Sequence, residues 1–253
     1  MNNKLIINAD DYGLTESCTK AIAEAFEKNL ISSTTACANG VYIEQALVLA
    51  QEKGFADTIG IHINLTEGQP LTETISGDPF FCEDGKFHGR INRLRKPTEE
   101  QLAEIKAEVT AQIQRLLALG YRISHADSHH HIHTCIYFED TIKDVLFAYG
   151  IKKIRLHRNI GGIPFYKKIV KNWYNKKLQK QDFTTCRYFG SLEDFDPNMT
   201  MEGICEIMVH PDYNSQGILI DRVQQTKEEN FGEPVVDINL KTAAKEKISY
   251  RDL

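Results

Sequence analysis

The sequence predicts an α/β protein with a parallel sheet or barrel and helical crossovers. Short apolar runs alternate with helical patterns almost from end to end, and 253 residues is a common length for a single α/β barrel. An apolar fraction of 42% beside 26% charged residues allows a sizeable core under a solvated surface, which argues against a disordered chain. No repeat, low-complexity tract or linker breaks the alternation, so residues 1–253 read as one domain.

The elements follow in order from periodicity. Lys4 to Ala9 reads as a strand, Glu16 to Lys28 as a helix, Ser32 to Ala38 as a strand, Tyr42 to Lys53 as a helix and Thr58 to Leu65 as a strand. Leu102, Ile105, Val109, Ile113 and Leu116 recur at steps of three and four and mark one helix face. Further strands are expected at Arg122 to Asp127, Lys152 to Leu156, Ile204 to His210 and Val235 to Ile238. Thr66 to Pro97, rich in Gly, Pro, Thr and charge, is long for a connection and follows a strand end, so it is expected to wall the substrate site.

Composition excludes several classes of function. A formal net charge of -5 argues against nucleic acid as the main partner, because phosphate binding needs a basic surplus on one face. The basic stretch Lys167, Lys168, Lys171, Lys176, Lys177 and Lys180 reads first as a solvated helix face, with a polyanion or phosphosugar contact as the sharper alternative. No run approaches the roughly 18 apolar residues of a membrane span, and Leu5 to Ile7 is too short for a signal-peptide core. The cysteines at 18, 37, 82, 135, 186 and 205 lack any tight spacing, which fits reduced thiols in a cytoplasmic protein.

The chemistry concentrates in Asp127-Ser128-His129-His130-His131-Ile132-His133, which has the donor density of half a metal site. An extended run would point Asp127, His129, His131 and His133 to one side, and a helix would pair His129 with His133. Sites in α/β barrels form at the carboxyl ends of strands. Asp10 and Asp11 end the first strand, His62 lies near the end of another, and His210 ends an apolar strand before Pro211. Two adjacent carboxylates repel unless a cation neutralises them, so one of Asp10 and Asp11 suits an ion and the other a water beside it. The blander reading of the pair is a helix N-cap before Leu14-Thr15-Glu16. His62 alone would read as a core histidine, and His210 is a candidate general acid. Arg155 and Arg158 could orient a partner or an anion, but each reads more simply as an ordinary ion pair.

These residues, together with Ser33-Thr34-Thr35, Asn39-Gly40 and the closing Ser249-Tyr250-Arg251-Asp252-Leu253, resemble the YdjC-like carbohydrate deacetylases, the family of chitooligosaccharide deacetylases. The resemblance implies a distorted (β/α) TIM-barrel-like fold of the glycoside hydrolase and deacetylase type. It implies removal of N-acetyl groups from N-acetylglucosamine units of short chitin-derived oligosaccharides, phosphorylated or not, with one divalent metal ion, Mg2+ or Zn2+, and a homodimeric state. Carried over by position, Asp11, His62 and His129 are the metal ligands, with His133 a rival for the third place. Asp10 is the base, and His210 or another cluster histidine protonates the departing amine. Two alternatives stay open. A phosphoesterase of the histidinol-phosphatase-like type would gather more metals from HxH pairs, and a metal- or sugar-binding protein without turnover would need no base.

Overall fold

The computed structural model describes residues 4–198, 201–224, 242 and 245–253. Its first two-thirds run β1 (Lys4–Tyr12), α1 (Glu16–Glu27), β2 (Ser33–Ala36), α2 (Ile43–Glu52), β3 (Ile59–Ile63), α3 (Glu73–Gly77), β4 (Cys82–Glu83), β5 (Lys86–Phe87), α4 (Glu99–Ala118), β6 (Ala126–Ser128), α5 (Glu139–Ala148) and α6 (Phe165–Lys180). The remainder comprises β7 (Tyr188–Ser191), β8 (Ile204–Val209), β9 (Pro211–Tyr213), β10 (Leu219–Asp221) and β11 (Glu246–Lys247).

One seven-stranded sheet has the order β6-β3-β2-β1-β8-β7, with β11 added beside β1, and every pair in it is parallel. Parallel neighbours need crossovers, and the helices between the strands supply them. Residues 152–160 then bring the two edges together. Arg155 N donates to Ala126 O at 3.0 Å, Ile154 N to Thr184 O at 3.1 Å and Asn159 N to Phe189 O at 3.0 Å. The sheet is thereby curled into a distorted barrel, the α/β fold class expected from the sequence. Its central strands are buried on both faces, as β1 illustrates with Leu5, Ile6, Ile7 and Ala9 all 0% exposed.

Local chemistry accounts for the helix starts. Thr15 and Thr98 each accept a backbone N–H three residues on, and at the longer helix Gln101 returns the bond to Thr98 N at 3.1 Å. Of the face expected on α4, Ile105, Val109, Ile113 and Leu116 are fully buried.

Several expectations need correction. Of the segment from Arg122 to Asp127, only Ala126 and Asp127 are in a strand, β6. The preceding residues meet β3 through Ser124 N to Ile59 O at 2.9 Å and Ile61 N to His125 O at 2.8 Å, and the His125 ring packs so close to Gly60 that a Cβ there would come within 2.5 Å of Nδ1. Lys152 to Leu156 makes isolated bridges instead of a ladder. Val235 to Ile238 lies outside the described residues. The segment from Thr66 to Pro97 needs no correction: it holds α3 and the β4–β5 hairpin, and buries Ile75, Phe81 and Phe87. Glu108 of α4 anchors its base by accepting from Leu71 N and Thr72 N.

Candidate metal centre and active-site cleft

The strand ends that the sequence nominates meet in one cleft of about 200 Å³, lined by Asp10, Asp11, His62, His129, His131, His210 and Arg222 among others. Asp10 and Asp11 diverge because Asp11 adopts φ 72, a left-handed conformation uncommon for a residue with a Cβ. The register between β1 and β2 shifts at the same point. The pair is therefore not a helix N-cap, a role that falls to Thr15.

Asp11 is where the donors converge. Its Oδ1 lies 3.1 Å from His62 Nε2 and 2.8 Å from His129 Nδ1, while Arg222 Nη2 donates to Oδ2 at 3.0 Å. Each imidazole is steered by its other nitrogen: His62 Nδ1 faces Asp127 Oδ1 at 2.6 Å and His129 Nε2 faces Glu67 Oε2 at 3.0 Å. Such outer partners fix which nitrogen is offered to an ion. Burial alone would raise the Asp11 carboxyl, but hydrogen bonds from His129 and His62 hold it well below the usual carboxylate range. Burial would likewise depress His62, yet Asp127 and Asp11 raise it well above the ordinary histidine value. A carboxylate-rich pocket in which histidines take up positive charge has the donor set and the charge imbalance that a divalent cation satisfies.

Among the described residues, two groups have donor atoms all within 4.8 Å of one another and could hold a metal ion: Asp11, Cys37 and His62, and Asp10, His62 and Asp127. The second is already neutralised. Arg155 Nη1 and Nη2 donate to the two oxygens of Asp10 at 2.7 Å each, and Nη1 lies 2.6 Å from Asp127 Oδ2. An ion there would sit beside a buried guanidinium, which Coulomb repulsion disfavours. The cation on the Asp11 side is Arg222, whose side chain is 42% exposed and so reaches Asp11 from the solvent side.

Asp10 is 2% exposed. Burial pushes its carboxyl up, but the charge and hydrogen bonds of Arg155 outweigh this and keep it well below the usual range, so it is ionised. His210 directly follows β8, the neighbour of β1, with Nε2 3.8 Å from Asp10 Oδ2 and Nδ1 3.9 Å from Asp221 Oδ1. Both distances are longer than hydrogen bonds.

The histidine run is neither the extended strand nor the helix considered above. Its residues form a kinked 3₁₀ turn, His129–Thr134, with His130 and His131 at φ 50 and 54. This reversal gives the rings different partners, although those of His129 and His130 stay 4.0 Å apart between centroids. His129 goes to Asp11, His130 Nδ1 meets Thr66 Oγ1 at 3.0 Å, and His131 sets its edge on Phe189. His133 turns inward to a short contact between Nδ1 and Ser128 Oγ. His129, and not His133, is the cluster histidine brought to Asp11.

Some residues of the site had no prominence in the sequence. Arg155 is 0% exposed and binds Asp10, Asp127 and Glu206, far from an ordinary ion pair. Arg158 is an ordinary one, with Asp194. Glu206 lies in Ile-Cys-Glu-Ile-Met-Val, and a lone carboxylate inside an apolar strand was the available signal. Glu67 comes from a loop and Arg222 from the short 3₁₀ turn Arg222–Gln224, and neither had one.

A profile of YdjC-like proteins matches residues 4–245. The chain belongs to the YdjC-like family. A carbohydrate deacetylase of Listeria welshimeri serovar 6b is 37% identical over 138 residues, 53% of this chain and 54% of that protein. The aligned stretch thus spans about half the length of that curated relative. A carbohydrate deacetylase of Listeria monocytogenes serotype 4a is 36% identical over 221 residues, 83% of this chain and 82% of that one. In fold, this YdjC-like chain is similar to a crystal structure from Enterococcus faecalis V583, provisionally assigned to cellobiose-phosphate cleavage. The TM-score is 0.72 over 100% of this chain and 99% of that chain, at 22% identity. No helix among the described residues is long and apolar enough to cross a membrane.

Proposed function

We propose that the chain is a metal-dependent carbohydrate N-deacetylase, a hydrolase of linear amides, acting as one domain on N-acetylglucosamine units of short chitin-derived oligosaccharides. The observation that carries the reading is the divergence of Asp10 and Asp11: neighbours in sequence, one clamped by a guanidinium and the other facing two imidazoles. The proposed ligands are Asp11, His62 and His129.

Asp11, His62 and His129 would hold a divalent ion, which would supply Lewis acidity toward the acetamide carbonyl and acidify a water enough for a weak carboxylate base. Arg155 keeps Asp10 ionised and fixes its orientation, so Asp10 accepts the proton as the water oxygen bonds to the carbonyl carbon. As the tetrahedral adduct collapses and the C–N bond breaks, His210 gives a proton to the departing amine, leaving acetate and a free amino sugar. Asp221 accepts from the His210 backbone N–H at 3.2 Å and so helps to place that residue at the cleft.

A phosphorylated sugar is favoured by a second cavity of about 210 Å³, which shares His131 with the metal cleft and is lined by His157, Arg158 and Lys171. Burial and the charges of Arg158 and Lys167 push the Lys171 ammonium down, a crowding of cations that an anion would relieve. The ligand chemistry suggests Mg2+ or Zn2+, and the reading carries with it a cytoplasmic homodimer.

The test is metal content of untagged protein together with products from diacetylchitobiose and its phosphorylated form. One ion per chain and chelator-sensitive acetate release are expected. Phosphate release without acetate would move the protein to the phosphoesterases, and tight sugar binding without either product to the non-catalytic binders.

A further inference from the structure

Around the ring, the strand ends of β1, β3, β6 and β8 each bring a site residue to the cleft, whereas β2, between β1 and β3, brought none from sequence reasoning. Its carboxyl end carries Cys37. The residue directly follows Ala36, its backbone N donates to Tyr12 O at 2.8 Å, and its side chain is 0% exposed. That placement puts the thiol between the strands bearing Asp11 and His62, and a sulfur, a carboxylate oxygen and an imidazole nitrogen of the three residues all lie within 4.8 Å of one another. Asp11 and His62 belong equally to the set completed by His129. His129 approaches Asp11 from the cleft, where it lines the cavity, and Cys37 from the protein interior.

We propose that Cys37 is a further ligand of the metal centre, donated from its buried side, so that a thiophilic ion such as zinc, cadmium or cobalt is bound by Asp11, Cys37 and His62. This rests on the reading of the cleft as a metal centre. Thiolate ligands select softer ions over magnesium, which takes oxygen donors. Binding breaks the S–H bond of Cys37 as the sulfur–metal bond forms, and one proton leaves to solvent for each ion bound through sulfur. No oxidant is involved. The consequence is a discrimination between ions set by a residue that need not touch the substrate. Magnesium uses the open oxygen and nitrogen side, and zinc is held more tightly by the sulfur behind it.

The full-length protein, stripped of metal, is titrated with cobalt(II) while sulfur-to-metal charge-transfer absorption is followed in the near ultraviolet. The band is expected to saturate at one equivalent in the parent and in Cys18→Ala, a neighbouring buried thiol, and to be missing in Cys37→Ser and Cys37→Ala. Zinc affinity of the folded Cys37 variants should fall by at least the roughly 10–100-fold that loss of an outer-shell partner costs, with magnesium affinity unchanged. Zinc-edge absorption of the parent needs no variant: a sulfur neighbour at about 2.3 Å is expected, and a shell of nitrogen and oxygen alone overturns the assignment. A cobalt band that persists in Cys37→Ser also overturns it. Acetate release is measured on the same samples. If it is absent while the sulfur signal is present, the deacetylase reading falls and the ligand stands; acetate release without any sulfur signal does the reverse.

Discussion

From β8 through β1, β2 and β3 to β6, every strand neighbour is a parallel ladder, whereas from residue 152 to residue 191 the ring is joined by isolated bridges and scattered backbone hydrogen bonds until β7 meets β8. The regular half holds Asp10, Asp11, His62 and Asp127 at 0–2% exposure. The irregular half carries His157, Arg158, Lys171 and the aromatic residues of α6, of which Trp173 is 60% exposed. Rigid ladders suit donors that must stay within fractions of an ångström, and the less regular side suits a surface that meets variable parts of a sugar. Arg155 is the seam, leaving the irregular half to bind carboxylates of the regular one.

The comparison breaks most visibly if a donor of the regular half proves dispensable. Asp11→Asn and His62→Ala are each expected to abolish stoichiometric metal and turnover together, read by elemental analysis and acetate release. Full metal occupancy in both variants, with loss in His133→Ala, would move the centre along the histidine turn.

Asp10→Asn should keep the metal and lose about 10²–10⁴-fold in kcat, the usual contribution of a general base. The amide preserves an oxygen for Arg155 but cannot take the water's proton. Activity within a few-fold of the parent, at full metal content, would reassign the base.

The irregular half is tested through substrate length and charge. Lys171→Ala and Arg158→Ala are expected to raise KM for a phosphorylated disaccharide about tenfold or more, as loss of a charge-assisted hydrogen bond of about 1.5–3 kcal/mol implies. The unphosphorylated sugar should be unaffected. Equal effects on both substrates would mean that the cavity shapes the cleft without reading an anion.

The two halves also differ in how much of them could be read beforehand. In the regular half, β-periodicity and the strand-end rule located Asp10, Asp11 and His62, because each donor is local to its own strand. Choosing His129 over His133 depended on left-handed residues at His130 and His131, and no sequence pattern announces a non-glycine reversal. In the irregular half, Lys152 to Leu156 has the look of a surface strand, since Lys152 and Lys153 flank it. The partners that make Arg155 central, Asp10 and Glu206, are 145 and 51 residues away. Cys37 was illegible for the same reason: one thiol has no spacing to read, and its company exists only once β1, β2 and β3 are side by side.

The smallest effect expected is at the seam and is a pH dependence. Asp10 and Glu206 share one guanidinium, yet Asp10 takes both terminal nitrogens while Glu206 receives only Nε, at 2.7 Å. Burial therefore prevails at Glu206 and pushes its carboxyl up to about 7, with the Asp127 charge adding to it, although Arg155 and the Tyr250 hydroxyl at 2.5 Å pull the other way. A carboxyl raised on folding binds its proton more tightly in the native state. Its contribution is fully present below its ordinary value of 4.5 and is lost as pH rises through about 7. Glu206→Gln removes that titration while keeping an oxygen for Arg155 Nε and an amide that the Tyr250 hydroxyl oxygen can accept. Melting temperature measured from pH 5 to pH 8 should decline a few degrees less in the variant than in the parent, on the scale of about 2–4 °C per kcal/mol. Glu104, also pushed up to about 7 by burial, titrates in both proteins and cancels in the difference. Parallel curves would mean that Glu206 is ionised across this range and that Arg155 holds its carboxylates alike.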